Sequence, residues 1–107
     1  MAWLTLIIAG ALEAAWSLGL PKTEGFRRPV PSVIVIFLIA TSLFLLARAA
    51  QSLPIGTAYA VWVGIGSLGA AVGGAMLYGE AMTAARVGFL GLLIIAIVGL
   101  RLTASPR

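Results

Sequence analysis

The chain contains no cysteine and no histidine, so it has neither a disulfide framework nor the thiolate and imidazole ligands from which most transition-metal sites are built. Charge is nearly as scarce. Seven lysines and arginines and three acidic residues make up 9% of the 107-residue sequence, against about 25% in a soluble domain. With 62% hydrophobic residues and a mean hydropathy of +1.14, the exterior must be solvated by lipid. The basic excess, a net charge of +4, is not a nucleic-acid footprint, because the cations are scattered at the ends of apolar runs instead of clustered on one face. No nucleic-acid partner, metal or cofactor is expected. Enzyme chemistry also lacks its parts, since a single carboxyl away from the loops comes with no nucleophile, base pair or metal set.

What the sequence does have is length without charge. Uncharged runs cover residues 2–12, 14–21, 29–47, 49–79 and 87–100, and a membrane span needs only ~20 residues to cross ~30 Å of hydrocarbon. The breaks predict four helices in a single domain over 1–107, at about 2–20, 32–48, 55–78 and 83–102. The first stops at Pro21, the second follows Pro31 and ends near Arg48, and the third begins just after Leu53 and Pro54, as proline chemistry requires. Arg86 and Arg101 fall within the ends of the fourth and reach the headgroups by snorkelling. The expected fold class is therefore all-α, an integral-membrane four-helix bundle. Met1, Ala2 and Trp3 offer no basic leader, and Glu13 would interrupt a signal-peptide core, so the first helix is expected to stay in the mature protein.

Helix parity puts Lys22, Arg27, Arg28 and Arg86 on one side of the membrane and Arg48, Arg101 and Arg107 on the other. Four against three is close to balance, and Lys/Arg bias is what normally fixes orientation. Such a chain is expected to insert both ways round. Four helices are too few to enclose a guarded polar pathway, whereas two inverted halves around a midplane site can form one. The expectation is an antiparallel, dual-topology homodimer in the cell inner membrane.

Glu13 is the one acidic residue inside a span, since Glu24 and Glu80 fall in loops. A carboxyl at that depth costs at least ~2.5–3.5 kcal/mol on insertion scales and marks a site for a proton, an ion or a cationic ligand. A structural contact between helices is the plainer alternative, but no basic residue lies within a span to pair with it. Helical spacing puts Gly10, Glu13, Trp16 and Ser17 on one face, and Tyr59, Trp62, Val63 and Gly66 on one face of the third helix. Thr41 and Ser42 are the mid-span hydroxyls of the second. Converging faces would surround the carboxylate with indole and hydroxyl donors. Core filling is the duller reading for the aromatics, and self-bonding for Ser42. The third helix carries Gly64, Gly66, Gly69, Gly73 and Gly74, a small-residue pattern for close packing, with Gly64 and Gly66 also placed to act as a hinge. The bulky fourth helix reads as a packing or dimerisation element. Trp3 and Tyr78 read as interfacial anchors.

Several segments resemble a known family. Residues 9–16 (AGALEAAW), 25–28 (GFRR) with Pro31 and Ser32, 53–62 (LPIGTAYAVW) and 64–66 (GIG) are similar in order and spacing to the small multidrug resistance transporters. Trp16 and Ser42 are similar to the guanidinium exporter subtype. The resemblance covers essentially the whole chain. It implies an antiparallel dimer in which two Glu13 carboxyls bind either protons or one guanidinyl cation, with Trp16, Ser42, Tyr59 and Trp62 lining the site. The chain differs from the family pattern at Pro21 and Lys22, at Val63 and at Ser17, which bears on loop contacts and substrate range. Three alternatives remain at this point: a promiscuous exporter of quaternary-ammonium and polyaromatic cations, one subunit of a heterodimer, and a small membrane protein without transport activity.

Overall fold

The computed structural model describes residues 1–103, and Arg107, counted above on the side of Arg48 and Arg101, lies outside them. The described residues form α1 (Ala2–Gly19), a 3-10 turn (Leu20–Thr23), α2 (Pro29–Ala49), α3 (Ile55–Tyr78) and α4 (Ala84–Thr103), with no strand among them. Their 18, 21, 24 and 20 residues correspond to about 27–36 Å of helix, and all four are long and apolar enough to cross a membrane.

Proline explains where the ends differ from the expected bounds. The second helix begins at Pro29 instead of after Pro31. A proline in the first turn costs no hydrogen bond, because the first N–H groups of a helix have no intrahelical partner. Arg28 before it is extended, at φ −90° and ψ 118°, the conformation favoured for a residue preceding proline. The first helix does not stop dead at Pro21 but tightens into the 3-10 turn. Left-handed Glu24, Gly25 and Phe26 (φ 50°, 74° and 65°) then reverse the chain. Buried Thr23 holds that reversal: its Oγ1 donates to the Leu20 carbonyl at 2.8 Å and accepts from the Phe26 N–H at 3.1 Å. At the far end of α3, Gly79 adopts φ 68°, so the Glu80 N–H turns back to the Gly74 carbonyl at 3.3 Å and closes the helix.

In the packing, α1 lies between α2 and α3, which barely meet each other, while α4 packs mainly on α3 and reaches α1 through Arg101, whose guanidinium lies 4.7 Å from the centre of the Trp3 ring. The buried core draws on Leu6 and Ala9 of α1, Leu46 and Ala49 of α2, and Val61 and Trp62 of α3. These positions belong to the N-terminal half of α1, the end of α2 and the start of α3, so the core fills one end of the bundle. The other end is held by close approach of small residues, Gly69 against Ala14 and Gly73 against Leu18, with Val35 of α2 buried there. Tyr78 donates its hydroxyl to the Leu18 carbonyl at 2.6 Å, tying the end of α3 to the end of α1. Helix α4 has no buried residue at all. The exterior is apolar on every side, with Phe37, Phe89 and Ile95 each about two-thirds exposed (68%, 70% and 67%), the composition of a surface that meets lipid.

Candidate functional site

Glu13 stands twelfth in α1, about 17 Å along the helix axis from Ala2, close to half a span from either surface. The helix turns its carboxyl toward α3 at Gly66. A Cβ built on Gly66 would collide with the Glu13 carboxyl oxygen, so glycine there lets the acid lie directly against the α3 backbone. The result is an acceptor with nothing to accept from. Glu13 Oε1 and Trp16 Nε1 are the buried side-chain polar atoms without a hydrogen-bond partner among the described residues. The other two glutamates each face an arginine, Glu24 with Arg28 at 3.6 Å and Glu80 with Arg86 at 4.0 Å. Glu13 faces no cation among the described residues.

Beside it opens a cavity of about 110 Å³, lined by Glu13, Ser17, Gly66, Ser67 and Ala70. Its chemistry is one carboxyl, two hydroxyls and otherwise minimal side chains. A roomier groove of about 370 Å³ between α1, α3 and α4, lined by Trp3, Ile7, Ile65, Ile97 and Arg101 among others, holds no acid or hydroxyl. Of the two, only the small cavity offers a carboxyl and hydroxyls to a cation.

Ser42 and Trp62 meet one helical turn away, and their target is the α1 backbone. Ser42 is fully buried, and its Oγ donates to the Ala9 carbonyl at 2.7 Å. The Trp62 indole N–H is shared between Ser42 Oγ at 3.0 Å and the same carbonyl at 3.2 Å. In an α-helix the Ala9 carbonyl is also the acceptor for the Glu13 N–H. One serine from α2 and one indole from α3 therefore clamp the turn of α1 that presents the acid. The self-bonding alternative holds instead for Thr41, whose hydroxyl donates to Phe37 of its own helix at 2.9 Å.

The remaining expected residues separate. Trp16 packs against the core cluster with its N–H unpaired. Tyr59 touches the Trp62 ring, 5.5 Å between centroids at 49°, but is 53% exposed and is not brought to the Glu13 cavity within one chain. Gly10 is buried against Ile65, where an added Cβ would come within 2.7 Å of that side chain, and Gly64 faces Ile97 of α4 at 3.0 Å. Of the three glycines, Gly66 alone meets the acid. Helix α3 runs unbroken through Gly64 and Gly66. Ser67 was not singled out by spacing; the available signal was that it follows Gly66 directly and falls one turn before Ala70.

Comparison with known proteins bears on this arrangement. The pattern of the Small Multidrug Resistance protein family matches residues 1–98. Among curated relatives, the guanidinium exporter of Yersinia pseudotuberculosis serotype I (strain IP32953) is 51% identical over 104 residues, 97% of this chain and 100% of that protein. The guanidinium exporter of Escherichia coli (strain K12) is 50% identical over 103 residues, 96% and 98% of the two chains. That of Salmonella typhimurium (strain LT2) is 49% identical over 104 residues, 97% and 99%.

Proposed function

The chain belongs to the small multidrug resistance family, and on that premise we propose that it is a multi-pass inner-membrane exporter of guanidinium and related guanidinyl cations, driven by proton entry. The observation that carries this reading is Glu13 Oε1, buried and, among the described residues, unbonded and without a cation paired to it. Guanidinium is planar, permanently charged at neutral pH and presents paired N–H groups that match a carboxylate bidentately. Indoles from α1 and α3 can add cation–π attraction of ~0.5–2 kcal/mol each. Desolvation disfavours a bare carboxylate, so a proton or the cation must satisfy it. A site that changes its facing only when one of them is bound exchanges one for the other.

The chain supplies one such acid and, on this reading, works as an antiparallel homodimer with two. Tyr59, exposed on α3, then faces the partner's half of the pathway, and the unpaired Trp16 N–H finds an acceptor there. The functional site is Glu13 with Trp16, Ser42, Tyr59 and Trp62. Gly66 makes room for the acid, while Gly10 and Gly64 set helix spacing.

Proton-gradient-driven uptake into proteoliposomes tests the proposal, with guanidinium compared against a bulky quaternary ammonium ion. Guanidinium uptake by the wild type and none by Glu13→Gln, with the variant still dimeric by cross-linking, is the expected result. Uptake of the bulky cation would make the protein a promiscuous exporter instead. Full activity in Glu13→Gln would refute the mechanism.

A further inference from the structure

Ser17 and Ser67 stand beside Glu13 without a place in the mechanism above. Ser17 lies one turn beyond the acid on α1 (i, i+4), and Ser67 follows Gly66 on α3, so two helices deliver a hydroxyl each to the same cavity of about 110 Å³. Their hydrogen bonding is asymmetric. The Ser17 hydroxyl spends its proton on the Ala14 carbonyl at 2.9 Å, which leaves its oxygen to act as an acceptor only. The hydroxyl of Ser67, an exposed residue of α3, has no hydrogen bond to any described residue and can both accept and donate. The remaining walls, Gly66 and Ala70, add no polar side chain and take little space.

A guanidinium ion carries six N–H bonds, and a bidentate carboxylate takes two. Every N–H left unpaired in a site away from water forfeits its hydration, so acceptors placed beyond the carboxylate decide which substituents are tolerated. We propose that Ser17 and Ser67 form a polar subsite that selects guanidinyl cations bearing a small hydrogen-bonding substituent over those bearing an apolar group of the same size. This rests on the guanidinyl-export reading above and names its preferred substrate class. The N–H groups of the substituent donate to Ser17 Oγ and Ser67 Oγ, while Glu13 holds the charged plane. The small cavity takes a compact group and no bulky one.

Aminoguanidinium and methylguanidinium have the same number of heavy atoms and the same charge, and differ in an amino against a methyl group. Their KM values are measured in proteoliposomes for the wild type, Ser17→Ala and Ser67→Ala. The wild type is expected to have the lower KM for aminoguanidinium. Each alanine variant is expected to raise the aminoguanidinium-to-methylguanidinium KM ratio about three- to tenfold, the worth of one hydrogen bond, and Ser67→Thr, which keeps a hydroxyl, to return it toward the wild-type value. Because the ratio is taken within one preparation, a partly misfolded variant does not change it. Guanidinium transport with an unaltered ratio in both alanine variants would overturn the subsite alone. No uptake of any of the three cations by the wild type would overturn the export reading with it.

Discussion

Glu13 Oε1 and Trp16 Nε1 are both buried atoms with nothing bonded to them among the described residues, and buried polar atoms left in that state are rare enough to need a cause. One is an acceptor and one a donor. Glu13 has to be relieved either by a proton or by a cation, and these two solutions exclude one another, because a protonated carboxyl has lost the charge that holds the cation. The sign of the pH effect follows. As pH falls, protons occupy Glu13 and the apparent KM for guanidinium rises, by about tenfold per unit once the carboxyl is mostly protonated. As pH rises, KM levels off at the affinity of the free carboxylate. Initial uptake rates at a series of external pH values, each fitted for KM, check this. A KM independent of pH would mean that proton and cation occupy different groups.

At the level of elements, the α1–α3 contact is what positions the acid, and glycine decides how closely it closes. On α1, Gly10 meets Ile65; on α3, Gly66 meets Glu13, Gly69 meets Ala14 and Gly73 meets Leu18. The sequence pattern made this seam legible as small residues at helical spacing, and proline marked the helix breaks to within a few residues. It could not say which neighbour each glycine would meet. Gly10 and Gly66 carry the same signature, yet one approaches an aliphatic side chain and the other the carboxyl. Ser42 and Thr41 are adjacent hydroxyls, and only the rotation of α2 about its axis sends one to Ala9 of α1 and leaves the other on its own helix. That rotation is fixed by packing with other helices, which no local period records. Gly10→Val forces a branched side chain into Ile65 and is expected to destabilise the bundle by ~1–3 kcal/mol, the usual cost of overpacking. A thermal shift in detergent reads the loss, and Ile65→Ala in the same chain should recover part of it. An unshifted melting temperature would mean that α1 and α3 are held apart more loosely than these distances imply.

The whole molecule is a slab. Its Cα atoms extend 42 × 35 × 17 Å, and the shortest of these corresponds to about two layers of helices packed ~8–10 Å apart, too thin to surround a pathway on all sides. Helix α4, with no buried residue, has its full outer surface free for another copy. If that copy is inverted, each orientation must be populated by the same sequence, and orientation becomes a quantity that can be altered. The described cations leave three on the loop side of Lys22 together with Arg86, against Arg48 and Arg101 opposite; Arg107 brings the sequence to four against three. Positive charge is retained in the cytoplasm. Gln51→Arg and Ser52→Arg with Arg27→Gln and Arg28→Gln, all at exposed loop or helix-end positions, convert the balance to a strong bias and should fix one orientation. Wild-type reporters at the C-terminus should then signal on both sides of the membrane and the biased variant on one. The biased variant should be inactive by itself, because parallel copies cannot supply inverted halves. It should regain transport when co-expressed with an oppositely biased chain carrying Arg48→Gln and Arg101→Gln. Full activity of one orientation alone would show that the second acid comes from a parallel neighbour, and the antiparallel arrangement would have to be given up.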